Sequence, residues 1–222
     1  MNHGEEPHLQ HVREARKGRQ VAAAAKRIVD GARRTFYQHG IIVESSTGTY
    51  LTDCSGFVSY VLEGVAPEHY GAIPRSVAHP YPRAFEFFDY FVSRAVDASL
   101  GWQRIDRFCE AREGDVVAWR KERIEPNEDS GHVFVVAEAP ALVTAGVWAI
   151  RAYDSSALQH FDDSRERNGA FLSGVGTGTI LVHVDARGRA CGFQFGPGDS
   201  LHEAPIATAR LEPLGPNRGD ES

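Results

Sequence analysis

The chain has 222 residues, a net charge of −6 at neutral pH and a pI near 5.9, with 42% hydrophobic and 24% charged residues. This is the balance of a globular protein with one full core, and it excludes the basic surface that nucleic acid or an anionic membrane would need. Three cysteines, Cys54, Cys109 and Cys191, are odd in number and far apart, which argues against a disulfide framework. No run reaches the roughly eighteen apolar residues of a membrane helix, and Val21 to Ala25 is too short for a signal-peptide core. The expected location is the cytoplasm, with export by a route lacking such a signal left open.

Residues 1–12 read as a flexible N-terminus. His3, His8 and His11 in it are expected to be solvated rather than metal-bound, because no cysteine or carboxylate stands at a fixed spacing from them. Residues 13–212 read as a single domain and 213–222 as a disordered tail. From about Arg13 to Gln38 the positions Val21, Ala25, Ile28, Val29, Ala32 and Phe36 form a helical stripe, with His39-Gly40 as its stop. Ile41 to Tyr50 reads as a connection. After Cys54 the residues Phe57, Val58, Val61, Leu62 and Val65 again recur at three- and four-residue steps, the period of one buried helical face.

The prolines at 67, 74, 80 and 82 bar a continuous helix between residues 66 and 84. An aromatic helix is expected from about Arg83 to Ala98. The pattern then turns to short apolar runs: Val116 to Trp119, His132 to Glu138 and Val147 to Tyr153, with Ala139 to Gly146 as a turn region. A polar loop from about Ala157 to Gly176 precedes a hairpin, Thr179 to Asp185 and Arg189 to Phe195, and Ile206 to Leu211 reads as a last strand. Gly174 to Gly178 is glycine-rich but leads into a strand, so it reads as a flexible approach rather than a phosphate loop. Helices followed by a meander of antiparallel strands make an α+β fold.

Cys54 opens its helix directly after Asp53, a good N-cap whose short carboxylate can accept a first-turn amide. The positive end of the helix dipole would favour thiolate there and lower the thiol pKa from about 8.5 toward 7. A nucleophilic cysteine needs a base, and the base needs an orienting group. Of ten histidines, His132 has the best context, at the first position of an apolar strand after a glycine. If the strands flanking the 139–146 turn pair symmetrically about Val143, His132 lies directly opposite Asp154, at bonding range. His160 and Asp162 are the alternatives for the third role. Asp115 reads as a turn residue opening its strand, and Cys109 and Cys191 as structural.

The segments Asp53-Cys54-Ser55-Gly56-Phe57-Val58, Gly114 to Trp119 and Gly131-His132-Val133 resemble, in order and spacing, the motifs of the NlpC-type papain-like cysteine peptidases. The resemblance covers roughly residues 40–184. It implies a papain-like fold, in which a helix carrying the nucleophile packs on an antiparallel sheet carrying the base. It also implies Cys54 as nucleophile, His132 as base and Asp154 as orienter. The reaction implied is hydrolysis of an amide bond in a bacterial cell-wall peptide through a Cys54 thioester. No metal or other cofactor is expected, because no paired His, Cys or carboxylate ligand spacing and no phosphate loop appears. The substrate would be a peptide or muropeptide, touched by Tyr50, the tyrosine near the cysteine, and by Ser55; the Cys54 backbone amide would steady the oxyanion. The competing readings are an acyltransferase or amidase on a non-wall substrate with the same three residues, and a binding module without turnover.

Overall fold

The computed structural model describes residues 6–125 and 128–214. It is a mixed α+β chain of helices and antiparallel sheet. In order it contains α1 (Glu6–Gly31), β1 (Arg34–Phe36), β2 (Ile41–Glu44), β3 (Thr49–Thr52), α2 (Cys54–Val65), α3 (Pro67–Gly71), α4 (Ala84–Val92) and β4 (Trp102–Ile105). A 3-10 turn, Phe108–Glu110, leads to β5 (Val116–Arg120), β6 (Gly131–Val136), β7 (Ala141–Thr144) and β8 (Val147–Ser156). The chain continues with β9 (Glu166–Arg167), β10 (Ala170–Phe171), β11 (Gly174–Val184), β12 (Ala190–Gln194), β13 (His202–Glu203) and β14 (Ile206–Leu211).

The main sheet has nine strands in the order β13-β12-β11-β8-β6-β5-β14-β4, with β7 joined to β8 beside this path. It curls, so that β12 comes back toward β14, and the two faces of each central strand meet different cores. On the outer face Val116, Ala118, Val133 and Val135 pack with Phe57, Val58, Val61 and Leu62 of α2 and with α1 and α4. Inside the curl, Val117, Trp119, Phe134, Val136 and Ile150 pack with Ile180, Val182 and Phe193. Both faces of β5 and β6 are therefore dry, which is why these strands read as continuous apolar runs rather than alternating ones.

The α1 helix is longer at its start and shorter at its end than the sequence suggests. It is already helical at Glu6, so residues 6–12 are not a loose terminus, and it stops at Gly31, after which Arg34-Thr35-Phe36 pairs in parallel with β3. A β-branched residue beside an aromatic favours that strand over another helical turn. His3 and the tail beyond residue 214 lie outside the described residues, as do the side chains of His8 and His11. Ile41 to Tyr50 is not a plain connection: β2 and β3 form a hairpin over Ser45–Gly48, hidden in the sequence because β2 is mostly exposed and does not alternate. The aromatic helix ends at Val92, and α3 occupies part of the proline-rich stretch. The 139–146 region contains β7, an exposed edge strand. Among the described residues no helix is long and apolar enough to cross a membrane.

Candidate active site

Asp53 caps α2 as its sequence suggests, with Oδ1 accepting the Gly56 amide at 2.7 Å and the Ser55 hydroxyl at 3.3 Å. Its other oxygen accepts Tyr81 Oη at 3.0 Å and stands 3.1 Å from His39 Nδ1. The carboxylate is thus fully occupied in holding the helix start. Cys54 follows as the first helical residue, 3% exposed.

The start of α2 is wedged into a split in the main sheet. The β6 and β8 strands pair only at Val135↔Tyr153 and Val136↔Ala152, and beyond these pairs they separate. Ser155 of β8 donates its hydroxyl to Thr52 O, and the Val133 N–H of β6 faces the Cys54 sulfur. Gly131, just before His132, has φ +137° and no room for a side chain, since a Cβ would meet the Trp119 carbonyl oxygen at 2.0 Å. Only glycine brings β6 this close to β5 there.

His132 and Asp154 meet across the split on the inner face. The ladder continues the register in which His132 would face Ser156, two residues from the expected symmetric pairing about Val143. The β7–β8 ladder between the two strands carries an irregularity of its own between Leu142 and Thr144. A two-residue offset preserves the face, so His132 Nε2 still lies 2.7 Å from Asp154 Oδ2 along the diagonal.

Asp154 is fully buried and has two further partners. His160 Nε2 is 2.8 Å from the same Oδ2, and Arg165 donates to Oδ1 at 3.0 Å. Burial pushes the Asp154 carboxyl up, but Arg165, His160 and the His132 bond outweigh it and hold it well below the usual carboxylate range. An ionised carboxylate only accepts, so both histidines present Nε2–H to it. With Nε2–H so committed, the other ring nitrogen of His132, Nδ1, is the one left to meet a reacting group. His160 lies flat against Phe195, ring centroids 5.4 Å apart, and its Nδ1 is buried without a partner among the described residues. Asp162, in contrast, is exposed at φ +47° and outside this network, while its neighbour Asp163 is buried against Arg165.

The thiol itself corrects the helix-dipole expectation. Burial, reinforced by the Asp53, Asp129 and Asp154 carboxylates against one favourable bond from Val133 N–H, pushes Cys54 well above the ordinary thiol value. One helix terminus is worth about 0.3–1 kcal/mol at an accessible site, which is too little to offset full desolvation. Among the described residues no hydrogen bond joins Cys54 to His132; the sulfur's partners are Val133 N–H and the Tyr37 hydroxyl.

Tyr37 is the site residue that the sequence did not single out. It follows β1, and its hydroxyl is pushed up by burial and by the neighbouring Cys54, Asp53 and Asp129. Tyr50, nearer in sequence, is buried edge-on against Tyr60 and lines a different recess, with Ala24 and Ile28. It does not reach Cys54. Ser55 does line the Cys54 cavity, with its hydroxyl turned to Asp53.

His132, Asp154 and His160 offer three ligand atoms within 4.8 Å of one another. They do not fit a metal ion. Both imidazole nitrogens stand at direct hydrogen-bond distance from one oxygen, whereas tetrahedral zinc ligands sit about 3.3 Å apart. Arg165 also supplies the cation that Asp154 needs. No family model matches this chain, and no curated protein and no solved structure matches it.

Proposed function

We propose that the chain is a papain-like cysteine hydrolase that cleaves an amide bond, with Cys54 as nucleophile, His132 as acid and base, and Asp154 as the group that fixes the imidazole. The observation that carries this reading is a helix-opening thiol beside Val133 N–H, the chain neighbour of His132, whose own Nε2–H is committed to a buried, ionised Asp154.

With the thiol protonated at rest, deprotonation and attack belong to one step. The sulfur exchanges its bond to Val133 for one to His132 Nδ1 as substrate enters; catalytic bonds commonly tighten only in the substrate complex. His132 takes the Sγ proton while sulfur bonds to the carbonyl carbon. The Cys54 amide, which as the first helical N–H has no acceptor four residues back, steadies the oxyanion, and the Tyr37 hydroxyl beside the sulfur is a second donor. Preorganised donors of this kind contribute about 2.7–4 kcal/mol each in comparable enzymes. The tetrahedral adduct collapses to a thioester as His132 passes its proton to the departing amine. Water then gives a proton to Nδ1 and its oxygen to the acyl carbon, releasing the acid and returning the proton to sulfur.

The resemblance to NlpC-type peptidases directs the first choice of substrate to cell-wall peptides. Incubation with muropeptides and simple acyl amides, followed by mass spectrometry, should show amide cleavage that Cys54→Ala abolishes. Cleavage that survives Cys54→Ala would overturn the reading. The raised thiol and the missing Cys54–His132 bond favour a second reading, a binding module on the same scaffold. Saturable binding of a muropeptide with no turnover of any amide would establish it instead.

A further inference from the structure

Two cavities flank the catalytic pair, and they differ in size and chemistry. Cys54, Ser55, His39, Tyr81 and Arg83 line one of about 300 Å³. His132 lines the other, of about 1070 Å³, which does not include Cys54. Tyr37, Asp129 and Gly131 border both, so the two cavities adjoin at these residues, with Cys54 in the wall of one and His132 in the wall of the other.

The walls of the larger cavity are aromatic. Trp119 and Phe193 stack with ring centroids 4.0 Å apart, Phe193 stacks on His202 at 5.2 Å, and Phe195 stands edge-on to His132 at 5.3 Å. Phe88 and Ala204 add to the apolar lining, and Arg189 and Asp185 line the same cavity. Its volume is that of a pocket for a drug-sized group, and a wall of aromatic rings favours contact with a further ring.

Chemistry assigns the sides. In thiol acyl transfer the imidazole must reach the departing nitrogen, so the group on that nitrogen extends into the cavity that His132 lines. The acyl group stays on the sulfur's side. We infer that the leaving amine of the natural substrate carries a large aromatic or planar apolar group that lies against the wall formed by Phe195, Phe193 and Trp119, while the acyl part is small and polar. This rests on the roles proposed above for Cys54 and His132, and it adds the substrate class.

The test uses L-alanyl amides that differ only in the leaving amine: ammonia, glycine, phenylalanine and 2-naphthylamine. For the native chain kcat/KM should rise at least tenfold from glycine to 2-naphthylamine. Ala204→Trp, which narrows the cavity, and Leu158→Arg, an exposed rim change that spares the core, should each reduce that ratio at least tenfold. In parallel, 2-naphthylamine binding to Cys54→Ala is followed by quenching of tryptophan fluorescence, expected to be saturable and lost when Ala204→Trp is added. Turnover equal within twofold across the amines would overturn the inference and leave the hydrolase reading intact. If no amide is cleaved, quenching lost on narrowing the cavity upholds the aromatic subsite while the hydrolase reading fails; absence of quenching overturns the subsite as well.

Discussion

His132 Nε2 and Asp154 Oδ2 lie 2.7 Å apart even though their strands have separated at that point and their register is two residues from direct opposition. The bond therefore bridges a gap in the sheet rather than decorating a ladder, and Asp154 is the one carboxylate on which His132, His160 and Arg165 converge. Asp154→Asn should cost about 1–3 kcal/mol in urea unfolding, because it removes one of the two buried counter-charges of Arg165 while Asp163 keeps the other, and should lower kcat/KM at least a hundredfold. Acid titration gives an independent reading. Asp154 is held below its unfolded value, so its stabilisation is complete above the unfolded aspartate pKa near 4 and is lost as pH falls through the lower folded value. The native chain should lose stability across that acid window, and the variant should lose less. Parallel acid profiles for the two proteins would contradict this.

His160 shares the oxygen that orients His132, and the two roles separate on substitution. His160→Ala leaves Asp154 with His132 and Arg165, so it should cost about 1–3 kcal/mol in stability and no more than about tenfold in kcat/KM. His132→Ala removes the group proposed as acid and base, a role worth about 10²–10⁴-fold. His160→Gln, which restores a donor, should recover most of the stability. Equal kinetic losses for the two alanine variants would move His160 from supporting Asp154 to acting on the reaction.

Gly176 and Gly178 give β11 an unusual job. Gly176 pairs with Asp154, and both glycines face the inside of the curl, where a Cβ would meet Arg165 Cγ at 2.6 Å or His160 Cβ at 2.5 Å. The run that reads as a flexible approach is regular strand, stripped of side chains so that a buried arginine and histidine can lie against it. Gly178→Ala should cost about 1–3 kcal/mol by overpacking and lower kcat/KM by displacing His160. Gly64→Ala in α2, where nothing lies within 4 Å, should be neutral or stabilising by about 0.5–1 kcal/mol. Similar outcomes at both positions would remove the steric explanation.

What could be read from the chain was local. The period of α2, the Asp53 cap and the continuous apolar runs of β5 and β6 follow from nearest-neighbour patterning, and they put Cys54 and His132 at the ends of their elements. The partnership of His132 with Asp154 could be read only as to face, because a two-residue offset preserves the face while the turn chemistry decides the register. Arg165 and Asp163 were illegible: a charged pair in a polar loop looks solvated until the fold buries it. Tyr37 was missed for a related reason. Sequence proximity favours Tyr50, but β3 turns that side chain into the core, and the tyrosine that reaches the sulfur comes from beyond the parallel strand β1.

The sign of the Cys54 shift is open to direct measurement. A thiol at a helix start reads as activated, yet burial and three carboxylates push this one up, Asp129 among them. Alkylation by iodoacetamide follows the thiolate, so at pH 7 Cys54 should react at least about tenfold more slowly than the exposed Cys191, with its rate still climbing above pH 9. Asp129→Asn removes one of the opposing charges and should move the Cys54 profile toward lower pH. His132→Ala should leave the resting profile where it is, since no bond joins the two side chains before substrate arrives, while still abolishing turnover. Peptide mass spectrometry resolves the three cysteines across the pH series. Fastest labelling at Cys54 near neutrality would mean that the thiol is ionised at rest, and the one-step deprotonation and attack would give way to a preformed thiolate.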